Sequence, residues 1–267
     1  LPCYPPPVLA LYEFLYSIDV DRLKRAAVEL LAVVLIYTLV AIAATWPVAA
    51  NMGEVVLGGG ELGGWVWRQW WHFQEIEALG QAAELGWLER LEVLVGLGRY
   101  PETGNILDIL LLSYPLDKWF GFPNHHNLKV LAIIVGNGVC GYTLARSLSD
   151  SRTVSLAAGL VAVLNPLVFQ DINKTGLRQV LLWWLLLYPV FLTRAQRTRT
   201  WVDGMLAGGC FAIISAFYWF YGLFAILFTL MHVAAWWWRE RPNIREVGQL
   251  FWPATMGALS THRRRAR

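Results

Sequence analysis

GMLAGGCFAIISAFYWFYGLFAILFTLMHVAAWWW, Gly204 to Trp238, runs for 35 residues without an Asp, Glu, Lys or Arg. As one helix it would reach about 52 Å, whereas the hydrocarbon core of a bilayer is only about 30 Å thick. Basic residues flank both ends, Arg197 and Arg199 before it and Arg239, Arg241 and Arg245 after it. Lys and Arg favour the cytoplasmic side of a membrane, so both ends belong on that side and the block must cross an even number of times. The pattern therefore predicts a helical hairpin. Its outer turn is placed at Tyr218-Trp219-Phe220-Tyr221-Gly222, where aromatic rings suit the headgroup layer and glycine permits a tight bend.

The rest of the chain follows the same grammar. Of 267 residues, 57% are hydrophobic and 15% charged, against about 25% charged in an ordinary soluble domain. Mean hydropathy is +0.44. The apolar residues come in blocks of bilayer-crossing length, not in the alternating runs of an outer-membrane barrel. The expected fold is all-α: a polytopic transmembrane helix bundle forming one membrane domain over residues 1–267. Spans are expected near 28–50, 127–146, 153–170, 178–195, 202–218, 222–238 and 247–262, with a long, partly helical external loop at 52–126. The seventh span runs outward into Arg263-Arg264-Arg265-Ala266-Arg267, a conflict with the charge rule that suggests a fragment.

Sidedness follows from the basic residues. Eleven lie on the proposed inside: Arg22, Lys24, Arg25, Arg146, Arg152, Arg194, Arg197, Arg199, Arg239, Arg241 and Arg245. The short external loop holds two, Lys174 and Arg178. This asymmetry implies a multi-pass protein of the cell (inner) membrane with a cytoplasmic N-terminus. It also accounts for the net charge of +3 without a nucleic-acid partner; membrane lipids are the expected surroundings. Cys3, Cys140 and Cys210 show no metal or redox spacing and read as small packing residues.

The stretch from Met52 to His126 stands apart, with ten of the nineteen carboxylates; loops of that length are usually functional. Residues 82–97 have the periodicity of an amphipathic helix lying along the membrane surface. Gly64 to Leu79 also reads as helix, with Trp65, Trp67, Trp70, Trp71 and Phe73 forming an aromatic surface. Interfacial anchoring is the plainer role for these rings and sugar stacking, above all by Trp67 and Trp71, the sharper one.

Two carboxylates are candidates for chemistry. Glu61, in the Gly-rich turn 58–64, sits where partial desolvation raises a carboxyl pKa toward the range of a general base; alternatively it caps the following helix. Asp108 is the one ionisable group in the apolar run 106–112, where such a residue points at a partner or a polar cavity, or else lies exposed at the interface. His125 and His126 carry a weak metal signal, lacking a matching third ligand, and otherwise read as interfacial polar groups. Lys174 and Arg178 could hold a phosphate or simply solvate a loop at 171–178. No cofactor is called for, although a divalent metal is compatible with these residues.

Thr45-Trp46-Pro47 closes the first span, an acidic Gly-rich turn precedes Trp67–Trp71, Asn127-Leu128 opens the second span, Leu164-Asn165-Pro166 precedes a short polar loop, and Phe217–Gly222 forms the hairpin. In order and sidedness, over most of residues 20–260, this resembles the bacterial polytopic membrane proteins of the GT-C glycosyltransferase type. The resemblance implies a hexosyltransferase using a polyprenyl-phosphate-linked sugar donor, with an acidic residue of the first external loop activating a hydroxyl acceptor. Glu61 would take that position, where relatives commonly have Asp. Asp108 would be a second acidic contact, Lys174 and Arg178 would stabilise the leaving phosphate, and Trp67, Trp71, His125 and His126 would bind substrate. The competing classes are a transporter or lipid-handling protein, and a non-catalytic subunit of the same fold. A transporter would need ionisable groups along a path, whereas the spans, Glu29 aside, are read as free of charge.

Overall fold

The computed structural model describes residues 20–60, 63, 64, 66, 67, 70, 71, 73, 74, 77, 113–174 and 179–240. Among these residues every regular element is helical and none is a strand. Four helical stretches, Lys24–Ala44, Asn124–Leu148, Arg152–Asn173 and Trp219–Arg239, are long and apolar enough to cross a membrane, and Trp201–Phe217 is a shorter apolar helix. The protein is an all-α membrane bundle.

Helix α1, Val20–Ala44, stops about six residues before the predicted end of the first span. Pro47 has no N–H to continue the ladder and disfavours helical backbone at Trp46, so the chain leaves through a turn and a short 3-10 segment, Val48–Ala50. Helix α2 is the short Tyr114–Phe120. Helix α3, Asn124–Leu148, begins three residues before the predicted Asn127, which moves His125 and His126 from the mouth of the span into its first turn.

The third predicted span divides in two, α4 at Arg152–Val163 and α5 at Pro166–Lys174. The cause is Asn165-Pro166. Proline disfavours helical backbone before it, and Asn165 Oδ1 restarts the helix by accepting from the Leu167 N–H at 3.0 Å. Residues 171–174, expected in a loop, are therefore helical. Helix α6 is Trp183–Thr198, five residues later than expected; α7 is Trp201–Phe217 and α8 Trp219–Glu240. The chain reverses at Tyr218, so that Gly222 packs back on Ser215. The seventh predicted span, 247–262, lies outside the described residues.

The core is locked where α1, α3 and α4 meet. Tyr37 of α1 is fully buried, its ring lying in a notch made by Gly138 and Gly159 and its hydroxyl donating to the Leu156 carbonyl at 3.1 Å. At one end of the same three helices Glu29 accepts from the Tyr142 hydroxyl and pairs with Arg146 at 3.4 Å and Arg152 at 2.9 Å. Helices α6, α7 and α8 add a second layer, with α6 packed along α3.

A Cβ at Gly159 would lie 1.9 Å from the Tyr37 hydroxyl and 2.7 Å from the Gly138 carbonyl oxygen. Overpacking of this kind costs about 1–3 kcal/mol, more than the roughly 1 kcal/mol by which alanine outdoes glycine in a helix. Gly159→Ala is thus expected to lower the unfolding temperature in detergent. Gly208→Ala, where a Cβ meets nothing within 4 Å, is expected to raise it slightly; differential scanning fluorimetry on the two purified variants checks both signs.

Candidate functional site

At the end of the bundle away from Glu29, the chain leaving α1 has no helix to satisfy its backbone. Asn127, in the first turns of α3 and only 1% exposed, does so with both ends of its amide. Its Nδ2 donates to the carbonyls of Met52 at 2.9 Å and Val55 at 2.6 Å, and its Oδ1 accepts from the Leu57 N–H at 2.9 Å. The His126 Nε2 adds a contact of 3.0 Å to the Leu57 carbonyl. Two residues on, a Cβ at Gly59 would fall 2.8 Å from the Asn173 carbonyl oxygen, so the backbone can lie against α5 only because this residue is glycine. Segment 52–59 is thereby clamped between the start of α3 and the end of α5.

The next described residues, Gly63, Gly64, Val66, Trp67, Trp70, Trp71, Phe73, Gln74 and Glu77, are helical. Phe73, buried, stands 5.6 Å from the Tyr114 ring and 5.9 Å from His125, which Phe122 also approaches at 5.9 Å. Lys118 ties the same elements together, 3.9 Å from Glu77 and 5.1 Å from the Tyr114 ring centre. Its hydrogen bond with Tyr114, with Glu77 adding to it, raises the ammonium pKa.

These elements border a cavity of about 340 Å³ whose wall includes Gly63, Trp67, Trp70, Phe73, Asp117, Phe122 and His125. Most of the lining is carbon. Among the described lining residues the titratable groups are a pair: Asp117 Oδ1 lies 2.8 Å from His125 Nδ1, the carboxylate part-exposed and the imidazole buried behind it. Four residues further along α3, on the same face, the fully buried Lys129 donates to Ser113 Oγ at 2.8 Å.

A second stretch of non-helical backbone lies deeper. Val180 and Leu181 are buried. Asn137 serves them as Asn127 serves the first segment, donating to the Val180 carbonyl at 2.8 Å and accepting from the Leu182 N–H at 3.0 Å. Trp183 donates to the Ile133 carbonyl at 2.9 Å, which places the start of α6 about 13 Å below the first residue of α3. Gln179 completes the group, its carbonyl accepting from the Tyr221 hydroxyl at 2.6 Å and its amide donating to the Tyr218 hydroxyl at 3.2 Å. The aromatic turn of the last hairpin therefore holds an interior segment, in addition to the exposed rings of Trp219 and Phe220.

The sequence-derived candidates fall unevenly on this geometry. Glu61, Asp108 and Arg178 lie outside the described residues, as does the amphipathic helix expected at 82–97. Lys174 is the last residue of α5, on the helix against which Gly59 packs. Trp67 lines the cavity and Trp71 stands beside it with ring centres 5.8 Å apart. His125 and His126 are buried at 3% and 2% exposure: the one backs Asp117 and the other holds the 52–59 segment.

The expectation of spans free of charge is also corrected. Lys129 lies inside α3 and Asp203 in the first turn of α7, where Asp203 accepts from Thr198 and Thr200 at 2.8 Å each and from Arg194 at 3.2 Å. Asn127, Asp117, Asn137 and Lys129 were not singled out for these roles, although a lysine in the apolar run after His126 was a visible signal. A second cavity, about 440 Å³ between α6, α7 and α8, has among the described residues only the Tyr188–Thr229 hydroxyl pair as its polar side-chain lining, and these residues include no carboxylate, amine or imidazole. Comparison with protein-family models, curated proteins and solved structures finds no match.

Losing a buried hydrogen-bonding partner costs about 1–3 kcal/mol, so the clamp is a measurable quantity. Asn127→Ala is expected to speed amide hydrogen exchange in residues 52–59 by at least about tenfold while protection within α3 and α4 is unchanged. Asn127→Asp, which turns a carboxyl oxygen toward the Met52 and Val55 carbonyls in place of the donor, should exchange at least as fast as Asn127→Ala.

Proposed function

We propose that this protein is a membrane-embedded hexosyltransferase of the GT-C type, moving a sugar from a polyprenyl-phosphate donor to a hydroxyl acceptor on the external face. The observation that carries the proposal is the clamp on residues 52–59. It fixes the chain as far as Gly59, four residues before Gly63, which lines an aromatic cavity, and Glu61 falls between the two in sequence. A base in that turn would act at the junction of headgroup layer and protein, where a lipid-borne donor presents its sugar.

In this reading Glu61 removes the acceptor proton, the acceptor oxygen bonds to the anomeric carbon, and the bond from that carbon to the phosphate oxygen breaks. The phosphate leaves with the electron pair. Its growing charge is met by Lys174, at the end of α5, and by Arg178 shortly after it, the electrostatic half of the catalysis. Asp108 is a second acidic contact, and the donor tail lies in lipid against the bundle. The charge-rule orientation supports the external placement, because the cavity and Glu29 with its two arginines lie at opposite ends of the bundle.

A transporter would use ionisable groups strung along a path. Lys129 and Asp203 are instead each held by local partners, Ser113 for the first and Thr198, Thr200 and Arg194 for the second. The direct test is turnover of a labelled polyprenyl-phosphate hexose by purified protein in lipid nanodiscs, with a hydroxyl-bearing glycoside as acceptor. A general base contributes about 10²–10⁴-fold. Glu61→Gln is therefore expected to lower kcat by at least about a hundredfold and Asp108→Asn by less, while wild-type turnover indistinguishable from that of Glu61→Gln removes the assignment.

A further inference from the structure

We propose that the cavity between the helical residues Gly63 to Phe73 that line it (Gly63, Val66, Trp67, Trp70 and Phe73) and the start of α3 is a binding subsite for a pyranose ring, held by aromatic faces and by the carboxylate of Asp117. The proposal takes from the transferase reading only its expectation of a sugar; the residues come from the geometry. The volume, about 340 Å³, falls in the range of small-ligand cavities, which combine apolar walls with a few placed polar groups.

A sugar ring presents one face of C–H bonds and an equator of hydroxyls. The C–H face, carrying slight positive charge, sits well on the electron-rich face of an indole or phenyl ring. Trp67, Trp70 and Phe122 supply such faces and are each about half exposed, so they remain available to a ligand. The equatorial hydroxyls need acceptors, and a carboxylate offers two oxygens that adjacent hydroxyls can share. Asp117, at 30% side-chain exposure, stands at the wall with its Oδ1 against His125.

His125 is the positioning residue. Its ring is wedged between Phe73 and Phe122 and its Nδ1 contacts Asp117 at 2.8 Å, so the carboxylate is oriented before any ligand arrives. Preorganisation of this kind lowers the entropic cost of binding. Interfacial anchoring accounts for exposed tryptophans but not for a carboxylate backed by a buried imidazole in the wall of the cavity they line.

Either the donor's sugar or a sugar of the acceptor could occupy the subsite, and two photoreactive probes separate them. One is a polyprenyl-phosphate hexose with a diazirine on the sugar, the other an alkyl glycoside with the same group. Irradiated with the full chain in nanodiscs, one of the two is expected to cross-link peptides spanning Gly63–Phe73 or Asp117–His125, identifying the source. Labelling there should fall at least about tenfold in Asp117→Asn and in Trp70→Ala, and be competed by unlabelled glycoside.

Cross-links from both probes that map elsewhere, or no cross-links at all, overturn the subsite. Labelling of the cavity without transfer to any acceptor upholds it and removes the transferase reading. Transfer without labelling of the cavity does the reverse.

Discussion

Backbone that is not helical cannot lie at membrane depth unless something satisfies its N–H and C=O groups, and here two asparagines on one helix do so. Asn127 and Asn137, ten residues and so about 15 Å apart along α3, each donate to and accept from the main chain of a distant segment. An amide side chain suits this task because it carries donor and acceptor in one rigid plane, as a peptide group does. Everything of chemical interest is hung from these two points: the first fixes the path from α1 toward the aromatic cavity, the second fixes the buried start of α6.

The apolar helices that carry this arrangement were legible in the sequence, because bilayer length and the placement of Lys and Arg are local properties of the chain. The helix breaks at Pro47 and Pro166 were not, since both prolines lie inside the expected spans 28–50 and 153–170: a charge-free run has bilayer length whether or not a proline interrupts its helix. The side-chain clamps were not legible. Asn127 acts on residues about 70 positions away and Asn137 on residues more than 40 away, and no periodicity records which irregular backbone a polar side chain will serve. The same holds for Asp117 and His125: eight residues apart and separated by Gly121 and Pro123, they meet only because the chain turns between α2 and α3.

The two ends of the bundle differ in chemistry. One is closed by a compact set of charges, Glu29 with Arg146 and Arg152, which binds α1, α3 and α4 at a place where no cavity is needed. At the other end α6 starts deep, and residues of α2, of the start of α3 and of the stretch from Gly63 to Phe73 line a concave, aromatic surface. Tight closure at one end and open, preorganised surface at the other are what a site requires if it is to receive a lipid-borne substrate from a single side of the membrane.

That division makes sidedness the claim on which the account stands. It is tested by placing single cysteines, in a background lacking Cys3, Cys140 and Cys210, at the exposed positions Glu54, beside the cavity end, and Asp150, at the Glu29 end. A membrane-impermeant maleimide applied to intact cells should modify Glu54→Cys and spare Asp150→Cys until the membrane is permeabilised. Modification of Asp150→Cys with protection of Glu54→Cys would put the cavity in the cytosol and contradict the account.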